Sequence, residues 1–254
     1  VIARERIAAQ GYGGPARFYI TTVKVLPMAR LIAEDMRIFM GRRLDCAECH
    51  NHPWDTWSQD QFWGMASFYG RLTSTEWIDN QVVYDDPHGQ EVDHGVDGIE
   101  TLRYRRPRHP RTDELIYPTF LDGSLLPDDQ QQNPRASLAQ MVTRHPYFAE
   151  AIVNRVWNHF FHRGIVDPPD DFSSINPPSH PDLLEALAEH FRENGHDLRQ
   201  LIRLIATSRT YQLSSTSCES NAHDEINYSH TIVRTLDAEV LLDAVTTVTG
   251  IPKE

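Results

Sequence analysis

Gly41-Arg42-Arg43-Leu44-Asp45-Cys46-Ala47-Glu48-Cys49-His50-Asn51-His52-Pro53-Trp54-Asp55-Thr56-Trp57 is the stretch on which the reading of this chain turns. Cys46, Cys49 and His50 spell C-x-x-C-H, the attachment signature of c-type haem. Two thiols at this spacing can form thioethers with the two vinyl groups on one porphyrin edge. The adjacent imidazole of His50 then ligates iron from the proximal side. Trp54 and Trp57 follow closely enough to help wall an apolar macrocycle.

Other chemistries compete for the same residues. A zinc site would use both thiolates with His50 and His52. A thioredoxin-like dithiol would use Cys46 and Cys49 alone, but it calls for a βαβ context that the flanking sequence does not show. A structural disulfide is the plainest reading. A cysteine nucleophile is disfavoured, because catalytic partners usually converge from distant segments rather than sit side by side.

Working outward, residues 27–41 read as an amphipathic helix on Leu31, Ile32, Asp35, Ile38 and Phe39, with Gly41 as its C-cap. Met28, Met36 and Met40 lie on or beside it; helix methionines are core filler more often than axial ligands. Ser58 to Tyr69 reads as a second helix, opened by a Ser58/Gln61 capping box. Its Phe62, Trp63, Met65, Ala66 and Tyr69 suit either a porphyrin wall or an aromatic core. Upstream, residues 1–10 read as a helix end before Gly11, Gly13, Gly14 and Pro15, and residues 16–26 stay undecided between helix and strand.

Short apolar runs separated by Asp, Gly, His and Pro make residues 71–133 a small β-rich insert. His88, His94 and His109 fall there and read as exposed loop histidines. From residue 134 the pattern is helical again: 136–142, 147–161, 182–194, 198–207 and 238–249. Residues 163–181 form a loop too long for a plain connection, with Ser179 as the expected cap of the next helix. Cys218 sits in a polar, serine-rich loop. The fold class expected is mainly α with a small β-rich insert, in three parts: a helical haem-attachment region over 1–70, the insert over 71–133 and a helical module over 134–254.

The 254 residues carry 24 Lys and Arg against 36 Asp and Glu, a net charge of −12 that lacks the basic footprint of a nucleic-acid binder. No apolar run approaches the roughly 20 residues that span a bilayer. Haem c is attached outside the cytoplasm, so the motif implies a periplasmic, cell-surface or extracellular address.

Cys46-Ala47-Glu48-Cys49-His50-Asn51-His52-Pro53-Trp54-Asp55 resembles planctomycete cytochrome-associated secreted families of unknown function. Asn154-Arg155-Val156-Trp157, His159, Arg163-Gly164-Ile165-Val166, Asp171-Phe172, Pro178-Ser179-His180-Pro181, Ser208-Arg209-Thr210-Tyr211-Gln212 and Leu236-Asp237-Ala238-Glu239 resemble the C-terminal partner module of those families. His162 departs from the pattern, which has glycine there. The resemblance implies a redox-associated protein outside the cytoplasm and supplies no reaction.

It also sharpens the search for the second axial ligand to His159 and His180, with an open position or a methionine as the alternatives; separately, Asp167 and Asp171 suit orienting a distal histidine through its other nitrogen. His52, two residues from His50, suits a hydrogen bond to a propionate better than the opposite face of the ring. Three functions stay open. The first is electron transfer by a covalent haem c, with a redox protein or other haem proteins as partners and a homo- or hetero-oligomer as an option. The second is a haem enzyme acting on peroxide or a small substrate at an open sixth position. The third is an assembly protein in which haem or another metal staples the fold.

Overall fold

The computed structural model describes residues 1–10, 14–16, 18–19, 28–70, 72–77, 80–85, 101–103, 107–130, 133–233 and 235–250. Helix α1 (Ile2–Ile7) is followed by α2 (Met28–Met40), whose apolar side is buried through Leu31, Ile32, Met36 and Met40. Asp35 shares that side and is fully buried. Its carboxylate accepts from Arg6 Nη2 at 2.8 Å and Tyr19 Oη at 3.2 Å, and Tyr69 Oη also donates to it. Burial pushes the Asp35 carboxyl up, against the pull of Arg6 and the tyrosine hydroxyls.

Helix α3 (Gln59–Ala66) opens with the expected capping box. Ser58 Oγ accepts from the Gln61 N–H at 3.1 Å, and Gln61 Oε1 accepts from the Ser58 N–H at 2.9 Å. A 3₁₀ turn, Ser67–Tyr69, completes it. Phe62, Met65, Ala66, Phe68 and Tyr69 are all fully buried, so this stretch is core and not a porphyrin wall. Met36 and Met40 are core filler in the same cluster. The side chain of Met28, most of residues 16–26, and His88 and His94 lie outside the described residues.

Three antiparallel strands, β1 (Leu72–Trp77), β2 (Asn80–Asp85) and β3 (Thr101–Arg103), form a sheet in the order β2-β1-β3. The chain then returns to where it left. Ser67 Oγ donates to Ile116 O at 2.8 Å, Thr119 N to Gly64 O at 3.1 Å and Gln61 Nε2 to Leu121 O at 2.9 Å. His109 is not the exposed loop residue the sequence suggested. It is buried, its Nδ1 accepts from the Arg111 and Thr112 N–H groups, and its Nε2 lies 2.9 Å from Asp60.

Helix α4 (Pro134–Arg144), capped by Asn133, packs on α1 in this first core. Arg135, fully buried, donates to Ile7 O at 3.1 Å. Helix α5 (Pro146–Phe161) joins the two cores: Phe148 belongs to the first, while Ala149, Val153 and Trp157 belong to the second. The second core adds Ile165, Val166 and Phe172 from the long loop, and Leu184, Leu187 and Phe191 from α6 (Pro181–Glu193). Leu201 and Ile205 come from α7 (Leu198–Ala206), and Tyr228 follows. Helix α8 (Ala238–Thr249) has no buried residue.

Two local expectations change. His162, where the resembling families have glycine, takes the left-handed conformation itself at φ 59°, and its N–H donates to Asn158 O at 2.7 Å, so the turn after α5 still closes. Ser179 does not cap α6; His180 holds that position without a side-chain capping bond. The Ser179 N–H and hydroxyl both donate to Ile165 O, at 2.8 and 3.0 Å, and pin the long loop.

Candidate functional site

The motif begins where α2 stops. Gly41 ends the helix at φ +65°, a conformation that costs an L-residue roughly 1–2 kcal/mol. Arg155 donates through both Nη atoms to the last-turn carbonyls of Ile38 and of Arg37 (2.6 Å), the latter also accepting from the Gly41 N–H at 3.2 Å. Asp170 accepts from Arg37 at 2.5 Å and from Arg43 at 2.9 Å, and these arginines hold its carboxyl below the usual range against the effect of burial. The Phe172 N–H donates to Gly41 O at 2.9 Å. The start of the motif is thereby tied to α5 and to the long loop.

Residues Asp45–Glu48 form one 3₁₀ turn. Leu44 and Ala47 are buried, whereas Cys46 and Cys49 are exposed free thiols. Residues three apart eclipse on a 3₁₀ turn, so the two cysteines share its outer side. Glu48 O accepts from Gln59 Nε2 and Trp63 Nε1, both at 3.0 Å, and Asn51 Oδ1 accepts from the Gln59 N–H at 3.0 Å. Helix α3 thus backs the motif and fixes its position.

The hydrogen bonds of the two motif histidines select opposite neutral tautomers. His50 Nδ1 lies 2.7 Å from Asn51 O. A carbonyl can only accept, so Nδ1 carries the proton and Nε2 keeps its lone pair for a metal. His52 is the reverse. Its Nδ1 accepts from the Trp54 N–H at 3.2 Å, which leaves Nε2 as an N–H donor. In this tautomer His52 can donate to an acceptor such as a propionate.

Trp54 is 66% exposed, and its carbonyl accepts from Ser174 Oγ at 2.7 Å. Trp57 is 8% exposed and packs edge-to-face on Tyr147 with ring centres 6.4 Å apart. Behind it lies an open cavity of about 590 Å³ between the motif loop and the second core.

His159 and His180 are placed on the second core. The His159 ring lies 5.7 Å from Phe160 and the His180 ring 5.6 Å from Tyr228, with His180 Nδ1 3.0 Å from Ser179 Oγ. Asp167 lies 3.7 Å from Arg163 and Asp171 3.8 Å from Arg43, so each of these carboxylates faces an arginine. Among the described residues, no group of three His, Cys, Asp or Glu side chains is gathered as a metal site. Cys218 is exposed, its Sγ 3.1 Å from Ser220 Oγ.

The donor set fits a covalent haem: two accessible thiols on one side of a turn, then an imidazole with a free Nε2. The surroundings do not enclose one. The thiols, His50 and Trp54 are exposed, and the aromatic side chains of α3 are committed to the core, so a macrocycle held here would lie on the surface.

Fold and site together define a mainly α protein with an exposed Cys-x-x-Cys-His turn. Residues 18–74 match the family described as PSCyt2, protein of unknown function (DUF1549), and residues 134–254 match that described as PSD1, protein of unknown function (DUF1553). Both are planctomycete-associated families, and the chain is similar to them over these two segments. No curated protein and no solved structure matches it. Sequence reasoning missed Arg42, Tyr147, Glu150 and Phe172, which line the cavity beside Trp57. Only their meeting in space marks them.

Proposed function

We propose that this chain is a c-type haem attachment module working outside the cytoplasm in electron transfer. The observation that supports it best is the His50 tautomer beside two free, outward thiols. Cys46 and Cys49 would hold the macrocycle through thioethers, and His50 would ligate through Nε2 while Nδ1–H stays on Asn51 O. The Nε2–H of His52 would serve a propionate. Haem c, when bound, supplies a one-electron couple.

The chain's own part is positional. Helix α3, through Gln59 and Trp63, keeps the turn from moving when a partner docks. An apolar macrocycle on an open surface gains from being covered, which suits a redox protein or another haem protein as partner. A second reading, a haem enzyme acting at an open position, draws on the cavity that adjoins the motif loop.

The test is intact mass after expression with a haem-attachment system. One haem's mass should remain on the polypeptide through acid acetone, and the Cys46→Ala/Cys49→Ala pair should lose it. A bare mass refutes the proposal, and a mass two hydrogens short would identify a disulfide instead. Carbon monoxide binding by the ferrous form separates enzyme from carrier. Ferric spectra of His159→Ala and His180→Ala, compared with His52→Ala, report whether either histidine reaches iron.

A further inference from the structure

Two residues that line the cavity behind Trp57 carry buried donors with nothing to donate to. Arg42 is 8% exposed, and its guanidinium lies 3.8 Å above the Tyr147 ring and 4.5 Å from the Phe172 ring. Its Nη2 donates to Glu150 at 3.1 Å, but its Nη1 is buried and meets no acceptor among the described residues. The same holds for Trp57 Nε1, on a side chain packed against the same Tyr147 ring. Both residues line the cavity. Buried N–H groups are nearly always satisfied, so two orphans on side chains that line one cavity mark an acceptor that meets them once those side chains turn toward it.

We propose that this cavity binds a small organic monocarboxylate with a flat apolar body. A carboxylate offers two oxygens and several lone pairs, enough to accept from both Arg42 Nη1 and Trp57 Nε1 after a small turn of each side chain. Its bond to the guanidinium is charge-assisted. Tyr147, Phe172 and Leu184 supply the apolar walls. The volume lies within the ordinary range for small-molecule sites.

The remaining charges limit the ligand to one negative group. Asp55, Glu150 and Glu185 line the cavity against Arg42 and Arg192, so a second carboxylate would meet like charge. None of this depends on what the thiols of the motif carry.

Isothermal titration with 1-naphthoate, 1-naphthamide and a naphthalene dicarboxylate tests the proposal. The monocarboxylate should bind with a dissociation constant of about 1 mM or below, which ordinary ligand efficiency gives a molecule of this size. The amide and the dicarboxylate should bind more weakly. Trp57→Phe removes one donor and keeps one aromatic ring. It should weaken naphthoate binding by about ten-fold, the size of one bond to a charged acceptor; the smaller ring also lowers the thermal midpoint, so both proteins are titrated well below it. Arg42→Lys, which keeps the charge but loses the fork, should weaken it as well. The Cys46→Ala/Cys49→Ala pair should titrate as the parent does. The proposal is overturned if no heat of naphthoate binding appears, if the amide binds as tightly, or if Trp57→Phe leaves the affinity unchanged.

Discussion

Replacing Gly41 by alanine tests how tightly the motif is joined to the second core. A Cβ there would lie 2.8 Å from Phe172 Cδ2, 3.1 Å from Phe172 Cε2 and 3.3 Å from Ala151 Cβ, on a backbone at φ +65°. The left-handed backbone alone costs about 1–2 kcal/mol. Forcing a methyl into a packed contact adds about 1–3 kcal/mol, because the Phe172 ring cannot yield without disturbing the N–H···O bond its own backbone makes to Gly41. The stiffer unfolded chain returns roughly 0.4–1 kcal/mol. The net loss is about 1–4.5 kcal/mol, centred near 3, a fall in Tm of roughly 5–15 °C around that centre for a chain of this size.

Urea unfolding followed by far-ultraviolet circular dichroism measures it. In a Phe172→Leu background the steric part should shrink and leave about 1–2 kcal/mol for the backbone. A loss below about 1 kcal/mol in the parent, or the same loss in both backgrounds, would refute the account of Gly41 as a close-packed joint.

Two further outcomes follow from the same framework. Asn154 is buried; its Nδ2 donates to Val166 O at 2.8 Å and Pro169 O at 3.2 Å, and its Oδ1 accepts from Val166 N at 3.0 Å. Asn154→Ala leaves these groups unpaired and should cost roughly 3 kcal/mol, read by urea unfolding, with faster proteolysis across residues 163–180. His145 caps α5 by accepting from the Tyr147 N–H at 3.3 Å, and burial, then Arg42, hold its imidazole below the usual range. A depressed folded-state pKa makes its contribution fully present above the unfolded value of roughly 6.5 and lost as pH falls through the folded one. His145→Asn keeps a cap acceptor without a titrating group, so its stability should vary less than the parent's across that window. An unchanged pH profile would show that His145 carries none of it.

What could be read ahead of the structure was local. The Ser58/Gln61 box and the Gly41 cap depend on groups within a few residues, so the sequence states them almost outright. Helices 147–161 and 198–207 declared themselves through apolar spacing. Asp35 at an apolar position was the hint of a buried charge, but Arg6, Tyr19 and Tyr69 come from three other segments, and no spacing joins them. His109 looked like a loop histidine because its approach to Asp60, far back in the chain, is set only by tertiary folding. Ser179 had the composition of a cap and was taken by the carbonyl of Ile165. The Cys-His turn was legible as chemistry, while the exposed setting of that turn was not, because the aromatic residues beside it suit a core as well as they suit a cofactor.

The return of the chain to its own point of departure, through Ser67 with Ile116 and Gly64 with Thr119, has an evolutionary consequence. Everything between those anchors hangs from a gate that is already closed. Lengthening such a loop costs only about 0.6 kcal/mol per doubling. Apart from Leu72, which the first core buries, and His109, which faces Asp60, residues 72–115 can therefore grow, shrink or be exchanged without a change at the turn that holds Cys46 and Cys49. The two flanking segments can in this way keep one shape while the piece between them drifts, and a reporter domain spliced in there should leave the rest of the fold intact.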